Sequence, residues 1–168
     1  MNILKKLVIF SIGITILISC KSTSPEKIIG TIGNEKLGKD RIVICVYGTA
    51  ACRPVNIDTN MTVDIEGQNL KLNQLPFGLY LEADILRDSQ GKSIIKKIKI
   101  DQDKTVICFK SLKEGQTKSI SDLLRNTTGV SNYKLNEKSN QVYIEYNHNT
   151  LPYNSLENTI KKAGFELE

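Results

Sequence analysis

Ser93-Ile94-Ile95-Lys96-Lys97-Ile98-Lys99-Ile100-Asp101-Gln102-Asp103-Lys104-Thr105-Val106-Ile107-Cys108-Phe109-Lys110 is where the texture of this chain changes. Before it, apolar residues come in short β-rich runs separated by turn residues, and no stretch holds the i, i+3, i+4 period of an amphipathic helix for long. After it, strand-like runs alternate with two helical stripes. Asp101-Gln102-Asp103 joins the two textures, so the sequence implies two small modules packed together, over 28–101 and 104–168.

Towards the N-terminus the strand-like runs are Ile28 to Gly33, Arg41 to Gly48, Met61 to Ile65, Asn69 to Leu72, Leu79 to Leu86 and Ser93 to Ile100. Gly38, Gly48, Gly67 and Gly91 punctuate them, with Asp88-Ser89-Gln90-Gly91 the clearest hairpin loop. In the last run Ile94, Lys96, Ile98 and Ile100 alternate imperfectly with Lys97 and Lys99. Short strands in this number suit a small closed or partly open barrel, because closure removes exposed edges.

Within this half, Cys45-Val46-Tyr47-Gly48-Thr49-Ala50-Ala51-Cys52 reads as an inserted hairpin. With Gly48-Thr49 as a two-residue loop, Cys45 faces Cys52 at a Cα separation of about 5.5 Å, which a disulfide accepts. The preferred reading is a structural bridge. The alternative is a soft-metal or redox pair, although six intervening residues match no common metal spacing and no His lies nearby in sequence.

The N-terminal half resembles small OB-like barrels of bacterial exported proteins. The resemblance rests on Ile29-Gly30-Thr31-Ile32, on Thr62-Val63-Asp64-Ile65-Glu66-Gly67 and on Leu72-Asn73-Gln74-Leu75-Pro76-Phe77-Gly78. It continues in Glu82-Ala83-Asp84-Ile85 and Lys97-Ile98-Lys99-Ile100, and it brings no chemistry with it. The Cys-containing hairpin is not part of that pattern.

Towards the C-terminus, Thr105 to Lys110, Tyr133 to Leu135, Val142 to Tyr146 and Phe165 to Leu167 read as strands, and Ser119 to Thr128 and Ser155 to Ala163 as helices. The order is βαββαβ, the split ferredoxin-like arrangement. Ile120, Leu123, Leu124 and Thr127 form one stripe that Gly129 ends; Leu156, Ile160 and Ala163 form the other, behind a capping-box-like Asn154-Ser155-Leu156-Glu157 and before Gly164. Cys108 is placed with Val106 on the helix side of its strand, as a small buried hydrophobe. Ile107 and Phe109, joined by Tyr143, are then left to pack on the barrel or on a partner. The fold class expected is therefore α+β, an N-terminal all-β OB-like barrel followed by a C-terminal ferredoxin-like βαββαβ domain.

This second half is similar to the heavy-metal-associated domains of copper chaperones and metal-transporting ATPases. The blocks that carry the likeness are Gly129-Val130, Val142-Tyr143-Ile144-Glu145-Tyr146 and Ile160-Lys161-Lys162-Ala163-Gly164-Phe165. The resemblance puts the family's two metal-binding cysteines, its CxxC, at Lys113 and Gln116, with Glu114 and Gly115 between. An ammonium cannot ligate while protonated and Cu(I) wants thiolates, so this loop is not expected to bind copper in the family's way. His148, beside Asn147 and Asn149, reads as a solvent-exposed turn residue rather than a ligand.

The N-terminus implies an exported chain. Lys5 and Lys6 precede an uncharged apolar run from Leu7 to Ile18, shorter than the roughly 20 residues of a membrane-crossing helix, which is the layout of an export signal. Leu17-Ile18-Ser19-Cys20 resembles a bacterial lipoprotein lipobox. The resemblance implies removal of residues 1–19, acylation of Cys20 and a polar tether over 20–27, so that the anchor is membrane lipid facing the periplasm or exterior. Lys21 after the Cys leans towards the outer membrane where the source has one. Of four Cys, three remain after Cys20, an odd number that leaves at least one thiol unbridged or paired with another chain.

Composition excludes little but points one way. The chain is 40% hydrophobic and 24% charged, and losing Lys5 and Lys6 with the signal lowers its formal charge from +5 to +3. That scattered charge and the few aromatics argue against nucleic acid. One His, and no Ser, Thr or Cys in a recognisable nucleophile motif, argue against an enzyme. The expected function is a lipid-anchored, non-catalytic envelope lipoprotein that binds a protein or small-molecule partner without a cofactor. The alternative is a heavy-metal protein using Cys45 and Cys52, with Cys108, in place of the missing CxxC.

Overall fold

A computed structural model describes residues 24–168 apart from 34, 36, 50, 51, 89 and 114. The expected export signal, Cys20, the first part of the expected tether and Glu114 lie outside the described residues. Five strands close on one another in the order β1 (Glu26–Ile32), β2 (Arg41–Val46), β3 (Cys52–Asn56), β7 (Ser93–Asp101) and β6 (Tyr80–Arg87). The hairpin of β4 (Thr62–Ile65) and β5 (Gln68–Lys71) forms a two-stranded sheet of its own.

Alternation puts Ile28 and Ile32, then Ile42, Ile44 and Val46, then Leu81, Ala83 and Ile85 inside the ring, where all are buried. Leu72 and Leu75, around a short 3-10 turn at Leu72–Gln74, complete this core. The irregular alternation of the last run has a cause in the register. Asp84 faces Lys97 but Ile85 faces Ile95, so Lys96 is a bulge residue. One extra residue swaps faces along the strand, and the apolar inward set passes from Ile95 to Ile98 and Ile100.

After the ring come β8 (Lys104–Cys108), α1 (Gln116–Asn126), β9 (Val130–Asn136), β10 (Gln141–Tyr146) and α2 (Tyr153–Lys162). The strands form an antiparallel sheet in the order β8-β10-β9. Ile107, Phe109, Val142 and Ile144 bury one face of it against Ile120 and Leu124 of α1 and Leu156 and Ile160 of α2.

The expected fold class needs correction. The chain is predominantly β, with ten strands in three sheets and two α-helices among the described residues, not an OB-like barrel joined to a complete ferredoxin-like βαββαβ domain. The ring is closed between β3 and β7 by one parallel pair, Asn56 with Ile94. The last strand expected over Phe165 to Leu167 is reduced to one bridge from Leu167 to Phe109. Phe165 instead turns inward to meet Phe109, their ring centroids 5.8 Å apart.

Smaller expectations shift too. β3 did not read as a separate strand because Pro54 has no N–H for a ladder, a lack tolerated where β3 meets β7 only at Asn56. Helix α2 starts at Tyr153 after Pro152, with no side-chain cap, and Ala163 is exposed.

The two faces of β8 are the reverse of the sequence expectation. Ile107 and Phe109 point to the helices, whereas Val106 and Cys108 face the ring, opposite Tyr143 and Gln141 of β10. Period-two alternation says which residues share a face, and two apolar pairs in one strand leave open which face meets which layer.

Candidate functional site

The ring side of β8 and β10 packs on the outer surface of β1 and β6, and polar groups stitch the junction. Thr31 Oγ1 donates to the Val106 carbonyl at 3.1 Å and Thr105 Oγ1 to the Gly78 carbonyl at 2.8 Å, both hydroxyls buried. Tyr143 meets Tyr80 and Tyr47 with centroids 5.8 and 6.1 Å apart. Burial, with the Glu82 carboxylate, pushes the Tyr80 phenol up to about 12, and burial raises Tyr143 as well, so both rings stay neutral in the packed junction.

At one end of this junction lies Gln141, 1% exposed. Its amide nitrogen donates to the Val46 carbonyl at 2.9 Å and the Thr49 carbonyl at 2.8 Å, and lies 3.4 Å from Cys108 Sγ. Its oxygen accepts from Gly48 N–H at 2.7 Å and from Ser139 Oγ at 2.9 Å. Flipping the amide would set its NH2 against the Gly48 N–H, so these partners fix its orientation. One side chain thus fastens the β2–β3 hairpin to the three-stranded sheet.

Cys45 and Cys52 are directly opposed in that hairpin and form a disulfide. The register is the expected one, but the Cα atoms are 3.8 Å apart, closer than the separation expected. Cys108 is a free thiol, and the three sulfurs all lie within 4.8 Å of one another. Burial pushes the Cys108 thiol up, the Gln141 amide pulls it back, and the Glu168 carboxylate adds to the rise. Cys108 is therefore protonated near neutral pH and not an isolated core hydrophobe.

A cleft of about 270 Å³ opens over these sulfurs. Ile32, Val106 and Ile107 give it apolar walls, and Glu35, Glu157 and Glu168 bring carboxylates to its lining. Two glycines shape it. A Cβ on Gly33 would press Val43 Cγ1 at 2.7 Å, and Gly78, at φ +77°, lies flat against the Tyr153 ring, where no side chain fits.

Lys113 and Gln116 are bonded to each other. Lys113 N–H donates to Gln116 Oε1 at 2.7 Å, and Gln116 N–H to the Lys113 carbonyl at 3.0 Å, closing the turn into α1. At the other end of the junction His148 sits between two carboxylates, Nδ1 2.8 Å from Asp103 Oδ1 and Nε2 3.2 Å from Glu66 Oε1. The turn is as expected, but the ring is an anchor rather than a loose side chain. Asp103 raises the imidazole, and His148 in turn lowers the Asp103 carboxyl.

Sequence reasoning found the Cys45–Cys52 pair but missed Gln141. Its signal was a lone Gln in an apolar strand, sharing a face with Tyr143; its hairpin partners are more than ninety residues away in the chain. No helix among the described residues is long and apolar enough to cross a membrane. Comparisons with protein-family models, with curated proteins and with solved structures find no match for this chain.

Proposed function

We propose that this protein is an exported lipoprotein tied to membrane lipid through an acylated Cys20, and that it works without catalysis as a binding module whose ligand enters the junction cleft. The observation that carries the binding role is the cleft itself, apolar on its walls and bordered by Glu35, Glu157 and Glu168. Its volume of about 270 Å³ falls just below the range of about 300–1,000 Å³ typical of small-molecule pockets, and suits one projecting side chain of a partner protein. An apolar stem with a cationic head, a lysine or arginine, matches those walls and that border. The lipobox and the Cys45–Cys52 disulfide support a site outside the cytoplasm, where such bridges persist.

Palmitate labelling of the full chain, abolished in Cys20→Ala, is the outcome expected for the anchor; an unlabelled, uncleaved chain would remove it. For the cleft, a photo-crosslinking residue at Phe77, 41% exposed and lining the opening, is expected to capture a partner in intact envelopes. The adduct should weaken at least fivefold when Glu35 and Glu168 are both changed to Gln. An adduct indifferent to those changes would refute recognition at this cleft.

A second reading, heavy-metal binding through Cys45 and Cys52, is favoured by one observation, the third sulfur that Cys108 brings within 4.8 Å. It requires the bridge to be reduced first, since a soft ion needs thiolates. Stoichiometric Cu(I) uptake by the reduced protein, lost in Cys45→Ser and in Cys108→Ser, would support it; uptake indifferent to both would end it.

A further inference from the structure

The three sulfurs carry an inference that does not depend on the anchor or on the cleft's ligand. We propose that they form an internal thiol–disulfide exchange site, in which Cys108 attacks Cys45 Sγ, displaces Cys52 and moves the bridge from within the hairpin to across the junction. Cys108 stands on the ring side of β8, held beside the hairpin by the same Gln141 amide that binds the carbonyls of Val46 and Thr49. A sulfur separation of at most 4.8 Å leaves no more than about 1.3–1.8 Å to close before the reacting atoms reach an attack distance of about 3–3.5 Å.

The direction of the exchange follows from exposure. Cys52 is exposed and Cys45 half-buried, so the sulfur that leaves as an anion is the one water can solvate. The reaction balances without an outside oxidant. Cys108 gives its proton to solvent, and its sulfur lone pair forms the bond to Cys45 Sγ. The bonding pair of the old bridge departs on Cys52 Sγ, which is then protonated from water. One disulfide and one thiol stand on each side of the equation.

Two features keep the exchange slow near neutral pH. The attacking species is the thiolate, and burial opposes its formation. The charged and titratable groups that face Cys108 across the cleft are Glu35 from the loop after β1, Glu157 and Tyr153 of α2, and Glu168, and none of them is a cation. Glu157 is itself paired with Lys161. The new bridge would tie β2 to β8 covalently and leave a reactive Cys52 thiol in the cleft lining.

The test uses the purified full chain, unreduced, held at pH 6.5, 7.5, 8.5 and 9.0 without added thiol, then acid-quenched and alkylated. Trypsin leaves Arg53-Pro54 uncut, so Cys45 and Cys52 stay in one peptide, 42–71, while Cys108 falls in 105–110. The expected result is a 42–71 to 105–110 linked species carrying one alkyl group on Cys52, forming roughly tenfold faster per pH unit below the thiol's pKa. Alkylation of Cys108 with none on Cys52 at every pH would overturn the exchange, and an alkyl group on Cys45 in the linked species would overturn its direction. In Cys52→Ala, mild oxidation of the monomer is expected to give a Cys45–Cys108 bridge. Failure of that bridge in a folded variant would also overturn the proposal.

Discussion

At one end of the junction a buried neutral amide, Gln141, contacts five groups; at the other an imidazole, His148, sits between the carboxylates of Asp103 and Glu66. Both ends fasten the helical layer to what precedes it, yet the consequences differ. A buried amide that loses a partner leaves groups that water cannot reach, a cost of about 1–3 kcal/mol for each. An ion pair with water at hand loses little, and its strength follows pH and salt. The sulfur end should therefore set the stability of the junction, and the histidine end its response to solution conditions.

The sharpest way to break that comparison is Gln141→Leu, which roughly keeps the volume but takes away the acceptor of the buried Ser139 hydroxyl and of the Gly48 N–H. A loss of about 3 kcal/mol in urea unfolding is expected. A loss no larger than that from His148→Ala would reverse the assignment of roles. Removing the bridge with Cys45→Ala and Cys52→Ala together should cost about 2 kcal/mol, because the closed loop is short. Thr31→Val, which deletes the hydroxyl bonded to the Val106 carbonyl near the middle of the junction, should cost about 1 kcal/mol by the same unfolding measurement.

His148→Ala should cost less than about 1 kcal/mol, and its signature is pH. The folded His148 titrates above its unfolded value of about 6.5, so its contribution is full below that value and fades as pH rises through the raised folded one. Asp103 titrates below its unfolded value, so its contribution is present above about 3.9 and fades as pH falls through the lowered folded one. The difference in stability between wild type and His148→Ala should therefore be greatest between about pH 4 and 6.5 and shrink as pH rises through the raised folded value. A difference that grows with pH would contradict this placement of charge.

The strands of the ring were legible because each has one face in a core and one outside it, and β1, β2, β6 and β7 fall close to the runs read from alternation. What escaped was tertiary. Whether Cys108 or Phe109 faces the helices depends on which layer each side of β8 meets, and both residues suit a buried face. Lys96 looked like a flaw in the pattern until the β6–β7 register showed it to be a bulge. Gln141 and His148 are ordinary polar residues in sequence, and their roles come from partners that the fold brings from the other half of the chain. The Cys45–Cys52 pair was readable for the opposite reason, since its two members lie close in sequence and face each other across a single hairpin.

Among the described residues, strand β1 is the first element a pull from the N-terminal side would meet. It lies antiparallel between β6, from Glu26 opposite Ile85 to Thr31 opposite Tyr80, and β2, from Gly30 opposite Val46 to Ile32 opposite Ile44. Its ladder bonds stand across the line of such a load, so tension along the strand strains them together in shear instead of peeling them one at a time. A body hung from its N-terminal end by this strand should resist mechanical extraction better than its modest size suggests.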